Sequence, residues 1–171
     1  MSADVFRSFT YQCDPAKHRV TVTDANGCVV LEFGGFGRQP GAFDTPIDAT
    51  LVMPEFFGEP LFDGVIKKSD ELQPWLAVAD YGNRRVQIFE LDGALVGVID
   101  EDVLGDAAGE PCRPCGLVWR DPVLEVEGVD GRKTRLHLGA ALLQSDVTTM
   151  LPSASPAMFV ARAPRSFREL N

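Results

Sequence analysis

Two stretches of this chain superimpose when one is shifted by 66 residues, and that internal repeat constrains the fold more than any other feature. The first runs Phe9 to Gly34 and the second Trp75 to Asp100. Asp14 falls on Asp80, Arg19 on Arg85, Val20 on Val86 and Gly27 on Gly93. Such a period builds one supersecondary unit several times, because a single unit cannot bury its own apolar surface. Each copy reads as strand, polar turn, strand, glycine turn, strand. In Arg19–Thr23 and Arg85–Phe89 apolar residues alternate with polar ones, which predicts strands with one buried face. Asn26-Gly27 and Asp92-Gly93 predict type I′ hairpins, because those pairs tolerate positive φ. The connections are too short for helices, so each unit is an antiparallel meander.

A third, weaker copy follows. Gly116–Arg120 reads as a strand, and Pro122–Leu138 as a hairpin around Asp130-Gly131. A shift of 48 sets Val126 on Val78, Arg132 on Arg84 and Leu136 on Ile88, with Gly128 where the aspartate stood.

Phe33-Gly-Gly-Phe-Gly-Arg-Gln-Pro-Gly-Ala-Phe43, followed by Pro46, is a glycine- and phenylalanine-rich loop leading to a proline-opened strand. Val78-Ala-Asp80-Tyr-Gly-Asn83-Arg-Arg-Val-Gln-Ile-Phe89 is a strand ending in aspartate, a turn with asparagine, and a second strand. Loop and strands in that order resemble the NHL repeat, the sequence of a β-propeller blade. The resemblance implies an all-β fold of antiparallel meander blades, a partial or incomplete NHL-like β-propeller. It covers Phe33–Pro46 and Leu76–Gly93 well, Phe9–Gly34 fairly, and little after Leu138. It also implies a repeat signature at Asp14, Arg19, Asp80, Asn83 and Arg85, read as an internal ion pair and turn cap because it recurs.

Residues 1–143 form the propeller segment in this reading, with an insertion at 53–74 where the family has a short turn. Prolines 54, 60 and 74 argue against one continuous helix in the insertion; Phe56, Phe57, Leu61 and Phe62 are expected to fold it onto the blades, the alternative being an exposed patch for a partner. Residues 144–171 are a C-terminal extension: Ala157–Ala161 reads as a strand that closes a blade, and Arg162, Arg165 and Arg168 as a basic tail.

Charge decides between function classes. Sixteen basic against 25 acidic side chains leave a net charge of −9, which disfavours nucleic acid as a partner. No apolar run reaches the ~18 residues of a membrane span, and no secretory pattern opens the chain, so the expectation is a soluble cytoplasmic protein. Cys112 and Cys115 have the spacing of a zinc half-site or a redox dithiol. A second such pair is absent from the sequence, so they are read as structural. No nucleophile elbow, phosphate loop or H-E-x-x-H motif occurs, and neither a cofactor nor a metal is expected.

The expected function is therefore a non-enzymatic scaffold that binds a protein or peptide through loops at the rim of the blades. With strands running outward from the axis, Asp14–His18, Gly34–Thr45, Asp80–Arg84 and Glu101–Arg113 share one face, the face on which the family commonly binds its partners. His18, Arg38, Arg84 and Arg113 are its candidate binding residues. The resemblance leaves two alternatives: a lyase- or hydrolase-type propeller with metal in the central channel, for which two histidines are few, and RNA binding. Two clear blades and part of a third are fewer than a closed ring needs. Self-association to complete the propeller, or membership of a longer one, follows as an expectation.

Overall fold

The computed structural model describes residues 3–6, 8–53, 74–105 and 112–138. They form three antiparallel meanders. The first blade is β1 (Ala3–Phe6), β2 (Phe9–Asp14), β3 (Arg19–Thr23) and β4 (Val29–Gly34). The second is β5 (Pro46–Val52), β6 (Trp75–Asp80), β7 (Arg85–Phe89) and β8 (Leu95–Ile99). The third is β9 (Pro114–Arg120), β10 (Val123–Gly128) and β11 (Lys133–His137). One helical turn, α1 (Glu101–Leu104), interrupts the connection between the second and third blades. The all-β meander architecture is the one that the repeat demands.

The blades stack face to face, with β1, β5 and β9 innermost. Aspartates tie these inner strands across the blades. Asp4 Oδ2 accepts a hydrogen bond from the Leu51 amide at 2.9 Å, and Asp48 Oδ2 one from the Leu117 amide at 2.7 Å. Two cores result. Tyr11, Cys13, Val20 and Val22 of the first blade meet Leu76, Val78 and Phe89 of the second. Ala77, Ala79, Val86, Ile88 and Ile99, from the second blade's other face, meet Leu117, Leu124, Val126 and Leu136 of the third. Alternation along β6 thus sends successive side chains into different cores. Phe33, Phe43 and Phe89 form a ring cluster with centroids 5.0 Å (Phe33–Phe89), 5.5 Å (Phe43–Phe89) and 6.4 Å (Phe33–Phe43) apart. Each such pair contributes about 0.5–1.5 kcal/mol beyond area burial.

Three details differ from the sequence reading. First, β7 is buried along its whole length, with Arg85 and Gln87 inside, so its alternation does not mark one wet face. Second, the hairpins are not type I′. Gly27, Gly93 and Gly131 have φ of 79°, 86° and 79°, but Asn26, Asp92 and Asp130 are not left-handed. The turns open one residue earlier: Gly27 donates to the Asp24 carbonyl and Gly93 to that of Glu90, and these two hairpins carry a β-bulge. Asp24 Oδ1 also accepts from the Asn26 and Cys28 amides, so side-chain capping sets the wider turn. Third, the last strand of the third copy is slipped by one residue. Leu136 pairs with Leu124 as Phe89 pairs with Leu76, and so matches Phe89, not Ile88. The turn Gly128–Arg132 is one residue shorter than its counterpart, and a one-residue slip exchanges the faces of a strand. Arg132 accordingly occupies the place of Arg85, not of Arg84.

The strand β1 was not anticipated. Its four residues alternate too briefly for a periodicity signal, and its pairing to β2 is what defines it. The insertion leaves and rejoins the blade where Val52 pairs with Trp75. Residues 54–73, the proposed closing strand 157–161 and the basic tail lie outside the described residues.

Candidate binding face

The connections Asp14–Arg19, Gly34–Pro46 and Asp80–Arg85, with the described parts 99–105 and 112–114 of the next one, emerge at one end of the stack, and contacts between them make one continuous rim. The loop before β5, residues 35–45, is its centre. Side chains of the second blade hold that loop by its backbone. Arg85 Nη1 donates to the Arg38 carbonyl at 2.8 Å, and Nη2 to those of Gln39 and Ala42 at 3.1 and 2.9 Å. Gln87 Nε2 donates to the Ala42 carbonyl at 2.7 Å while Gln87 Oε1 accepts from the Gly41 amide at 2.8 Å. Asn83 Nδ2 donates to the Gly37 carbonyl at 2.9 Å. At the far end of the loop, Asp80 Oδ1 accepts from the Asp44 amide at 2.7 Å and His18 Nδ1 from the Thr45 amide at 2.9 Å.

Asp80 organises this clamp. Its side chain is fully buried, and Oδ2 accepts from Arg85 Nε at 2.7 Å, Asn83 Nδ2 at 2.9 Å and Gln87 Nε2 at 3.0 Å. A buried carboxylate is tolerated when paired and hydrogen-bonded in this way. The turn beneath the loop comes close: a Cβ at Gly82 would lie 2.7 Å from the Asp44 carbonyl oxygen.

The signature behaves differently in the first blade. Asp14 and Arg19 are register partners like Asp80 and Arg85, yet no ion pair joins them. Arg19 Nη1 reaches Glu32 on β4 at 2.9 Å, and Asp14 caps the Lys17 amide at 3.1 Å and pairs with its ammonium at 3.3 Å. The expected ion pair is thus corrected for this copy. Among the described residues no preceding loop covers the turn, and in water each group takes its nearest exposed counter-charge. In the third blade the aspartate is absent and Arg132 pairs with Asp130 at 2.5 Å.

The structure brings the four candidate binding residues onto this rim, in different states. His18 is half-buried, its ring edge-on to Phe36 with centroids 4.8 Å apart. It accepts a backbone hydrogen bond through Nδ1 and so anchors the loop. Arg84 faces Glu101 at 3.5 Å. Arg38 is exposed, its backbone held and its side chain outward. The Arg113 guanidinium lies 5.6 Å from the centroid of the Tyr81 ring. Phe36, Tyr81 and Gln87 were missed. A phenylalanine between glycines in a loop was the available signal for Phe36, whereas nothing in the sequence told that Gln87 points into a clamp.

Cys112 is buried in the core between the second and third blades, and Cys115 is half-buried on β9; desolvation raises both thiols above the ordinary range. Among the described residues no group of three or more His, Cys, Asp or Glu is placed to hold a metal ion. No helix among them is long and apolar enough to cross a membrane.

No family model matches this chain, and no curated protein matches it. Among solved structures it is similar to BamB from Moraxella catarrhalis, at 14% identity and a TM-score of 0.32, over 78% of this chain and 41% of that chain. The chain thus spans less than half the length of that protein.

Proposed function

We propose that this chain is a non-enzymatic scaffold built on NHL-like repeats, which binds a protein or peptide through the rim loops of its blades. The clamped loop carries this reading. Its backbone is anchored from Gly37 to Thr45 by buried and half-buried side chains. Phe36, at the start of the loop, is 73% exposed, the most exposed large hydrophobic residue among those described. A rigid loop that presents an aromatic ring and an arginine loses little entropy on binding, and such residues dominate interface energetics. The NHL-like assignment rests on the order of parts: loop, Pro46, Asp80, Asn83 and the strand Arg85–Phe89.

A displayed random-peptide library panned against the full chain tests the reading. Enriched peptides should bind the unaltered chain and an Arg120→Ala control, changed at the opposite end of the third blade, but lose affinity for Phe36→Ser. Absence of enrichment, or binders indifferent to Phe36→Ser, would refute rim binding.

A further inference from the structure

The rim also carries a charge pattern that runs against the rest of the chain. The protein has 25 acidic and 16 basic side chains, and most of the described cations have a carboxylate at hand. Lys17, Arg19, Arg84, Arg85, Arg132, Lys133 and Arg135 all do. Arg38, Arg113 and Arg120 form no ion pair among the described residues, and all three are exposed. Of these, Arg38 and Arg113 lie on the rim. Arg38 follows Phe36 by two residues on the clamped loop, and Arg113 lies over Tyr81. The two pairs are linked through the turn 81–84, whose Asn83 holds the Gly37 carbonyl and whose Gly82 amide holds that of Asp44.

From this juxtaposition we infer that the rim docks an acidic, extended polypeptide segment. Its carboxylates pair with Arg38 and Arg113, and an apolar side chain covers Phe36. The inference rests on the rim-binding reading above and names the partner's chemistry. An arginine whose backbone is already held by Arg85 offers its planar fork to a carboxylate with less left to order. The same rings and guanidiniums have the chemistry to stack single-stranded nucleic acid. A peptide is favoured because a few carboxylates meet the −9 field only locally, screened beyond about 8 Å at physiological salt, whereas a polyphosphate brings a charge with every nucleotide.

The test is fluorescence anisotropy on the full chain with three labelled probes: a Glu-Leu-Gly repeat peptide, its Gln-Leu-Gly counterpart of equal length, and oligouridylate. The glutamate peptide should bind about tenfold more tightly than the glutamine peptide at low salt. That preference should vanish in the double variant Arg38→Ala/Arg113→Ala and persist in Arg120→Ala, with circular dichroism confirming that both variants fold. Equal binding of the two peptides, lost in Phe36→Ser, would overturn the acidic partner while leaving rim binding intact. No binding of either peptide would overturn both. Oligouridylate binding more tightly than the glutamate peptide, through the same two arginines, would overturn the inference in favour of nucleic acid.

Discussion

The first and second blades carry the same aspartate and arginine at the same register, and they use them in opposite ways. In the second blade Asp80 is 0% and Arg85 6% exposed, and together they grip a loop from the blade before. In the first blade the Asp14 and Arg19 side chains are 23% and 37% exposed, and each turns to a different counter-charge. What differs is the cover. A loop with unpaired carbonyls lies over the second turn, and burial removes water as the competitor, so one guanidinium becomes the partner of four acceptors. An exposed copy of the same pair gains little from meeting.

The same contrast holds for whole faces. The second blade is packed on both sides, while the end blades pack their core residues towards it and turn mostly polar groups outward, with Val5, Val29, Val30 and Val118 exposed among them. The first blade turns Thr10, Gln12, Thr21, Thr23, Arg19 and Glu32 outward. The third turns out a charged ladder, with Lys133 3.0 Å from Glu125 and Arg135 3.5 Å from the same carboxylate. Repeat arrays end on units with a polar outer face. Completing a ring by stacking a further blade on either end would bury these groups, which sharpens the earlier expectation of self-association into a test.

That test is all-or-none. Static light scattering decides it: a mass of two chains or more is expected where copies complete the ring, and the mass of one chain would show that the outer faces cap the stack. The next largest effect belongs to Arg85→Ala, which strands a buried carboxylate and should cost about 3–5 kcal/mol in urea unfolding. Arg19→Ala should cost about 1 kcal/mol or less, and similar losses at the two sites would break the comparison of the blades. Gln87→Ala leaves the Gly41 amide without its acceptor and should cost about 1–3 kcal/mol. Its counterpart Thr21→Ala, on the wet face, should stay within about 0.5 kcal/mol. The Tyr11 hydroxyl is buried between the two blades and has no hydrogen-bond partner among the described residues, so Tyr11→Phe should leave the midpoint unchanged or raise it.

The smallest effect concerns pH. The Asp24 carboxyl is held below its ordinary range, first by the Cys28 amide and then, against some desolvation, by the Asn26 amide. A depressed folded-state value stabilises the protein above the unfolded carboxyl's pKa, about 3.9, and that contribution is lost as pH falls through the folded value. Asp24→Asn keeps an acceptor for the turn but removes the titration, so its midpoint should fall less steeply on acidification. An unchanged acid slope would show that the cap does not contribute to it.

Much of the fold was legible because it follows from local chemistry: alternation in Arg19–Thr23 and Arg85–Phe89, and glycines at the three hairpins. Rim membership was legible too, since strand order alone decides which turns share an end. The slip in β11 was not, because one missing turn residue shifts a strand without changing its composition. Nor was the anchoring part played by His18, which depends on a backbone amide from another loop.

The sequence by itself determined the meander, the number of copies and the end of the stack at which the signature turns emerge, because these depend on neighbours a few residues apart. Only the tertiary structure decided what the signature does. Asp and Arg at one register become a buried clamp or two solvated side chains according to whether another blade's loop excludes water from them, and the exclusion of water is a property of packing that no single repeat contains.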